Sequence, residues 1–129
     1  MANAEGKKYN FDSIECIDTQ VLETFKFDHV NQYIKSVTHE FSAVCPFSGL
    51  PDIAELIIEY YPQDKKCIEL KSLKYYITSF RNVGLYQEGC TARIYTDLKN
   101  VLNTEKIKVT TIYNVRGGFT TTAIQGTLD

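Results

Sequence analysis

Apolar and polar residues alternate along several stretches of this chain and recur at helical spacing in two others. In "NQYIKSVTHEFSAV", residues 31–44, the alternation puts Tyr33, Val37, His39, Phe41 and Ala43 on one face of a strand. "DIAELIIEYYP", residues 52–62, alternates again, with Ala54, Leu56, Ile58 and Tyr60 on one face and Ile53 and Ile57 on the other. Between them "CPFSGLP" holds two prolines and a glycine, the composition of a connector. In "IELKSLKYYITSFRNVG" the residues Leu70, Leu73, Ile77 and Phe80 fall at helical spacing, with Gly84 as the stop. A second helix follows in "LYQEGCTARIYTDLKNVLN", where Tyr86, Cys90, Ile94, Leu98 and Val101 form the apolar stripe and Asn103 ends it. "EKIKVTTIYNVRGG" returns to alternation, with Ile107, Val109, Tyr113 and Val115 on one side. Arg116-Gly117-Gly118 turns the chain into a short last strand, "FTTTAIQGTL".

The order ββααββ predicts an α+β domain, an antiparallel sheet with both helices on one face, over residues 31–129. Residues 1–30 are weakly patterned and read as an irregular N-terminal arm. A sheet covered on one side leaves the face of Ile53 and Ile57, and both edges, open. Closing several such sheets edge to edge into a barrel covers them, so the expectation is a homo-oligomer.

Composition narrows the picture. At 129 residues, 43% apolar and 23% charged, the chain is long enough for one packed core and unlike a disordered segment. A formal net charge of −2 lacks the basic footprint of a nucleic-acid binder, and no direct nucleic-acid partner is expected. No apolar run approaches a membrane span, and "MANAEGKKYNFDSIEC" lacks a secretory signal's apolar segment, so a cytoplasmic location without a membrane partner is expected. Cys16, Cys45, Cys67 and Cys90 form no CxxC or CxxH pair, and only His29 and His39 are present, so no metal site is expected. His39 reads as a packed strand residue.

Three segments carry candidate chemistry. Cys45 stands where a strand gives way to a proline-bounded loop, and Asp52 opens the next strand, so a hairpin returns it towards the thiol. That pair reads either as a nucleophile with a proton donor or acceptor, or as a packing cysteine beside a strand-end acid. In "ELKSLKYY", residues 69–76, Lys71, Lys74 and Tyr75 cluster beside Ser72 over about one helical turn. They form either a grip for phosphate groups or a solvated helix face. In "FRNVGLYQE", Glu88 is either a carboxylate for a guanidine-like edge or a favourable acid in a first helical turn.

In this order and spacing, "CPFSGLPD", "ELKSLKYY" and "FRNVGLYQE" resemble the 7-cyano-7-deazaguanine reductases, the nitrile reductases of queuosine biosynthesis, in their short single-domain form. The resemblance covers roughly residues 31–118 and includes the late Arg-Gly-Gly. The octet at 69–76 is its most specific part and satisfies every position of the family pattern associated with NADPH binding. The resemblance implies the tunnelling fold, whose ββααββ subunits close into barrels with sites at subunit boundaries. It implies that Cys45 attacks the nitrile carbon to form a thioimide while Asp52 protonates the nitrogen. It further implies that Ile68, Glu69, Leu70, Gln87 and Glu88 bind the deazaguanine, and that Lys71, Ser72, Lys74 and Tyr75 bind NADPH. Gln87 stands where many members carry histidine, and an amide cannot donate a proton as an imidazolium does.

Three rivals predict different features. An amidinotransferase relative acting on nitrile-bearing tRNA lacks the octet. A pterin-type tunnelling-fold enzyme needs a histidine-rich metal site. A non-catalytic purine-binding module leaves Cys45 as packing.

Overall fold

The computed structural model describes residues 2–129. Strands β1 (Thr24–Lys26), β2 (Ile34–Val44), β3 (Pro51–Tyr60) and β4 (Lys66–Ile68) precede helices α1 (Leu70–Thr78) and α2 (Gln87–Leu102). Strands β5 (Ile107–Tyr113) and β6 (Thr122–Thr127) close the chain. The main sheet is antiparallel throughout in the order β2-β3-β5-β6, and β1 pairs with β4 in a separate two-stranded ribbon.

Strand β3 behaves as its pattern predicts, with Ala54, Leu56, Ile58 and Tyr60 buried. Removing Leu56 and Ile58 from water is worth about 1.5–3 kcal/mol each. Strand β2 departs from its pattern. Thr38 pairs with Leu56 but Phe41 pairs with Ala54, so one extra residue bulges out at His39–Glu40. The bulge reverses which residues face inward. Before it Ile34, Ser36 and Thr38 lie over the buried side of β3, and after it Phe41 and Ala43 do. Tyr33, Val37 and His39 therefore do not share a face with Phe41 and Ala43. His39 is not a packed residue; its side chain is 76% exposed, 3.7 Å from Glu55.

Both helices pack on the buried side of the sheet. Helix α1 ends at Thr78, earlier than the spacing predicts, and Leu70 is exposed, while Phe80 is buried beyond the helix end against Phe41 and Tyr76. Helix α2 stops where expected, because Asn103 takes a left-handed backbone. Its buried stripe runs Cys90, Ile94, Leu98 and Leu102, with Val101 half-buried and Tyr86 exposed. Val115 is exposed and lies past the end of β5.

The N-terminal segment has local order. Two short 3-10 turns at Ile14–Cys16 and Thr19–Val21 lead to β1, and Ile17 is buried in the main core. Asp12 bridges Val83, and Val44 bridges Gly84, both in parallel sense. On the other face of the sheet Val37, Ile57, Thr110 and Ile124 are aligned across all four strands by the register. Val37 and Ile124 are exposed there.

Candidate active site

The β2 bulge decides where the cysteine points. Without it, residue 45 would continue the outward phase of Tyr33 and Val37; with it, the chain leaves β2 in the inward phase of Phe41 and Ala43. Ala43 pairs directly with Asp52, so the hairpin brings Cys45 and Asp52 to the same end of the sheet on its helix-covered side.

The loop between the strands curls tightly. The Cys45 N–H donates to the Leu50 carbonyl at 2.9 Å, and the Gly49 N–H donates to the Cys45 carbonyl at 2.9 Å. Gly49 has φ +73°, and a Cβ there would lie 2.5 Å from the Tyr9 carbonyl oxygen, so both backbone and space call for glycine. The curl turns polar groups onto the sulfur. The Ser48 hydroxyl and Ser48 N–H favour the thiolate most; burial opposes them, and the Phe47 N–H and Arg116 guanidinium add to them. Together they lower the thiol from its ordinary 9.0 to about 7. Burial instead pushes Cys90 up to about 11 and also raises Cys67. Among these three, Cys45 is the thiol set for nucleophilic chemistry near neutral pH.

Asp52 is 4% exposed and forms an ion pair with Arg116. Arg116 stands at the β5–β6 turn, where its N–H and that of Phe119 exchange hydrogen bonds with each other's carbonyls at 2.8 and 2.9 Å. Cys45, Asp52, Gln87, Glu88 and Arg116 line one open cavity of about 490 Å³. Phe47 and Tyr86 meet edge to face across its rim, 5.9 Å between ring centres, and Phe119 lies on the opposite loop. Glu88 is exposed in the first turn of α2. The Gln87 carbonyl, which opens that turn, accepts from the Tyr113 and Thr91 hydroxyls at 3.3 Å each.

The structure does not bring the other candidates to this cavity. Ile68 is buried, and its N–H donates to the Tyr60 hydroxyl at 3.1 Å. Glu69 caps α1, accepting from the Lys71 and Ser72 N–H groups at 2.9 and 2.8 Å, and these bonds hold its carboxyl below the usual range. Ser72 is buried, accepting from the Glu23 N–H and donating to the Glu69 carbonyl. The helix N-terminus is thus already occupied by a carboxylate. Lys71, Lys74 and Tyr75 are exposed. Lys74 and Leu70 line a second groove of about 200 Å³ with Ser36, Thr38 and Arg81. Lys74 and Arg81 put two cations on that groove, with the Glu40 carboxylate beside them, and such ammonium and guanidinium groups are chemically suited to phosphate. Among the described residues, no cluster of three or more His, Cys, Asp and Glu side chains has metal-holding geometry, and no helix is long and apolar enough to cross a membrane.

Sequence reasoning took Arg116 as a turn residue and passed over Ser48, Phe47 and Tyr86. The Arg-Gly-Gly in the resemblance was a signal for the first. The hydroxyl three residues after a loop cysteine was one for the second.

A lowered thiol, a buried carboxylate and aromatic walls facing a carboxylate-edged opening are the layout of a thiol-nucleophile site for a flat, polar-edged ligand. Comparison with known proteins gives the family. Residues 51–127 match the family described as QueF-like protein, and the chain belongs to that family. It is similar to the NADPH-dependent 7-cyano-7-deazaguanine reductase of Thermotoga maritima, 59% identical over 129 residues, all of this chain and 94% of that protein. The reductase of the same name from Caldicellulosiruptor bescii is 42% identical over 120 residues, covering 92% of this chain and 91% of that one. The crystal structure of an apo archaeosine synthase QueF-Like aligns with a TM-score of 0.70, over 78% of this chain and 98% of that one. At 20% identity that likeness speaks for the shared fold alone.

Proposed function

We propose that this protein is an NADPH-dependent reductase that converts the nitrile of 7-cyano-7-deazaguanine to an aminomethyl group in queuosine biosynthesis. The observation that carries the residue assignments is the convergence of Cys45, lowered to about 7, and buried Asp52 on one cavity. Membership of the family and 59% identity to a reductase over the whole chain support the reaction.

In this reading the Cys45 thiol gives up its proton to the Asp52 carboxylate as the sulfur adds to the nitrile carbon, and Asp52 passes that proton to the nitrogen, leaving a thioimide on the sulfur. NADPH supplies the hydrides, two per nitrile. Covalent attachment at Cys45 holds the carbon for the first reduction; the C–S bond then breaks, returning the thiolate, and the imine it releases takes up the second hydride while still in the cavity. Glu88 accepts the paired N–H donors of the pyrimidine edge, Gln87 hydrogen-bonds beside it, and Phe47 and Tyr86 flank the flat base. Lys71, Lys74 and Tyr75 serve the cofactor. Glu69 and Ser72 are bonded within the chain, so their part, like that of Ile68 and Leu70, is to shape the segment.

Because Lys71 and its neighbours do not line the Cys45 cavity of their own chain, the reading includes a homo-oligomer in which α1 of one subunit completes a site of the next. The bare sheet face bearing Val37, Ile57 and Ile124 supports a barrel whose interior covers that row. The test of the reaction is cofactor oxidation. NADPH is consumed only when the nitrile base is present, two per base; no oxidation at any pH between 6 and 9 (from roughly one unit below the thiol to two above it) overturns it.

A further inference from the structure

The N-terminal segment touches both loops that build the cavity. The Tyr9 N–H donates to the Ser48 carbonyl at 2.8 Å, inside the curl closed by the Cys45–Leu50 and Gly49–Cys45 backbone bonds, and Ser48 is the residue that most favours the Cys45 thiolate. Tyr9 approaches Gly49 so closely that a Cβ there would also come 3.0 Å from its carbonyl carbon. Three residues on, Asp12 joins the other loop: its N–H donates to the Asn82 carbonyl at 2.7 Å, and its carbonyl accepts from Gly84 at 3.0 Å. The Phe11 ring lies where a Gly84 Cβ would be, 2.3 Å from that position. Gly84 and Leu85 lead into Gln87 and Glu88, and the Leu85 N–H donates to Val44, the residue before Cys45. Tyr9 and Phe11 are themselves 59% and 40% exposed, so these contacts owe little to core packing.

We propose that residues 9–12 are a positioning strap, and that the Tyr9 backbone N–H, by holding Ser48, keeps the loop closed around the Cys45 sulfur. The inference rests on Cys45 being the nucleophile and adds a role for a segment outside the matched residues 51–127. Its physical basis is that three of the groups favouring the thiolate belong to the curl at Phe47–Ser48, whose only tie to the N-terminal segment among the described residues' backbone bonds is this one. Hydrogen bonds to a sulfur weaken steeply with angle and distance, so a loosened curl loses them together. The other charged or titratable groups in the cavity are Asp52, Tyr86, Glu88 and Arg116. The strap brings Asp12 at its far end and follows Lys7 and Lys8. The deciding substitution therefore leaves every charge in place.

The experiment is the pH dependence of Cys45 alkylation by iodoacetamide in the protein without substrate or cofactor, read on the Cys45 peptide by mass spectrometry. Tyr9→Pro removes the N–H, and Tyr9→Ala keeps it. The proline variant is expected to move the midpoint upward by about one pH unit, with alkylation at pH 7 slower by roughly five-fold, and the alanine variant to stay near the parent. A proline variant with the parent midpoint, or an alanine variant shifted equally, overturns the strap. Should the proline variant not fold, an amide-to-ester replacement at residue 9 removes the same N–H with every charge kept, and an unmoved midpoint overturns the proposal. Alkylation needs neither nitrile nor NADPH, so a failed shift leaves the reductase reading standing, while absent turnover with an intact shift does the reverse.

Discussion

Arg116 and Asp52, 64 positions apart in the chain, form an ion pair at the wall of the cysteine cavity, with Asp52 buried and nearly half of the Arg116 side chain in solvent. A buried carboxylate without a partner is costly, whereas a half-exposed guanidinium is not. Replacing Arg116 by methionine is expected to lower stability by about 1–3 kcal/mol, read by denaturant unfolding, and to slow nitrile reduction. Asp52→Asn, which removes the charge along with the carboxylate that relays the proton, is expected to abolish turnover with a smaller loss of stability.

The thiol gives a pH signature. Cys45 in the folded chain sits at about 7, below its ordinary 9.0, so the folded state binds that proton less tightly than the unfolded one. The stability this contributes is fully present above pH 9 and is lost as pH falls through 7. Adduct formation with the nitrile base should rise through the same midpoint, and Ser48→Ala, which removes the strongest group favouring the thiolate, should move that midpoint upward. Stopped-flow or quenched mass measurements across pH check both.

Much of this fold was legible, and its misses have definite causes. The β3 face of Ala54, Leu56, Ile58 and Tyr60 is buried as its alternation predicts, because β2 and β5 flank the strand and the helices cover that one side. The β2 face was read through the bulge at His39–Glu40, which alternation cannot reveal, since each half keeps period two and only the register slips. Phe80 has helical spacing from Ile77 but is buried from a turn after the helix has ended. In the site, Cys45 and Asp52 were linkable because a short hairpin joins them. Arg116 was not, because its contact depends on two strand pairings that bring the β5–β6 turn back beside β3.

Gly49 tests the loop geometry directly. Gly49→Ala meets both a positive φ and the Tyr9 carbonyl, so it is expected to destabilise the protein by about 1–3 kcal/mol and to slow Cys45 alkylation. A melting curve and an alkylation rate matching the parent would contradict the loop as described.

The lysines separate cofactor from substrate. Lys71→Ala with Lys74→Ala is expected to raise the KM for NADPH by roughly ten-fold or more while leaving covalent capture of the nitrile base intact, since neither residue lines the Cys45 cavity. Steady-state kinetics beside adduct mass make the distinction.

The bare sheet face tests the assembly. Val37→Lys places a charge on the row it shares with Ile57 and Ile124, outside the core, and is expected to dissociate the oligomer while the monomer keeps its circular dichroism. Light scattering after gel filtration reads the outcome, and loss of activity on dissociation is expected if neighbouring subunits complete each site.

The central claim is that Cys45 captures the nitrile covalently. The most direct measurement is the intact mass of the protein after incubation with 7-cyano-7-deazaguanine in the absence of NADPH. The account predicts an increase equal to one nitrile base per chain, located on the Cys45 peptide, absent in Cys45→Ala and discharged on adding NADPH. An unchanged mass in the parent protein, or an adduct that persists in Cys45→Ala, would contradict it.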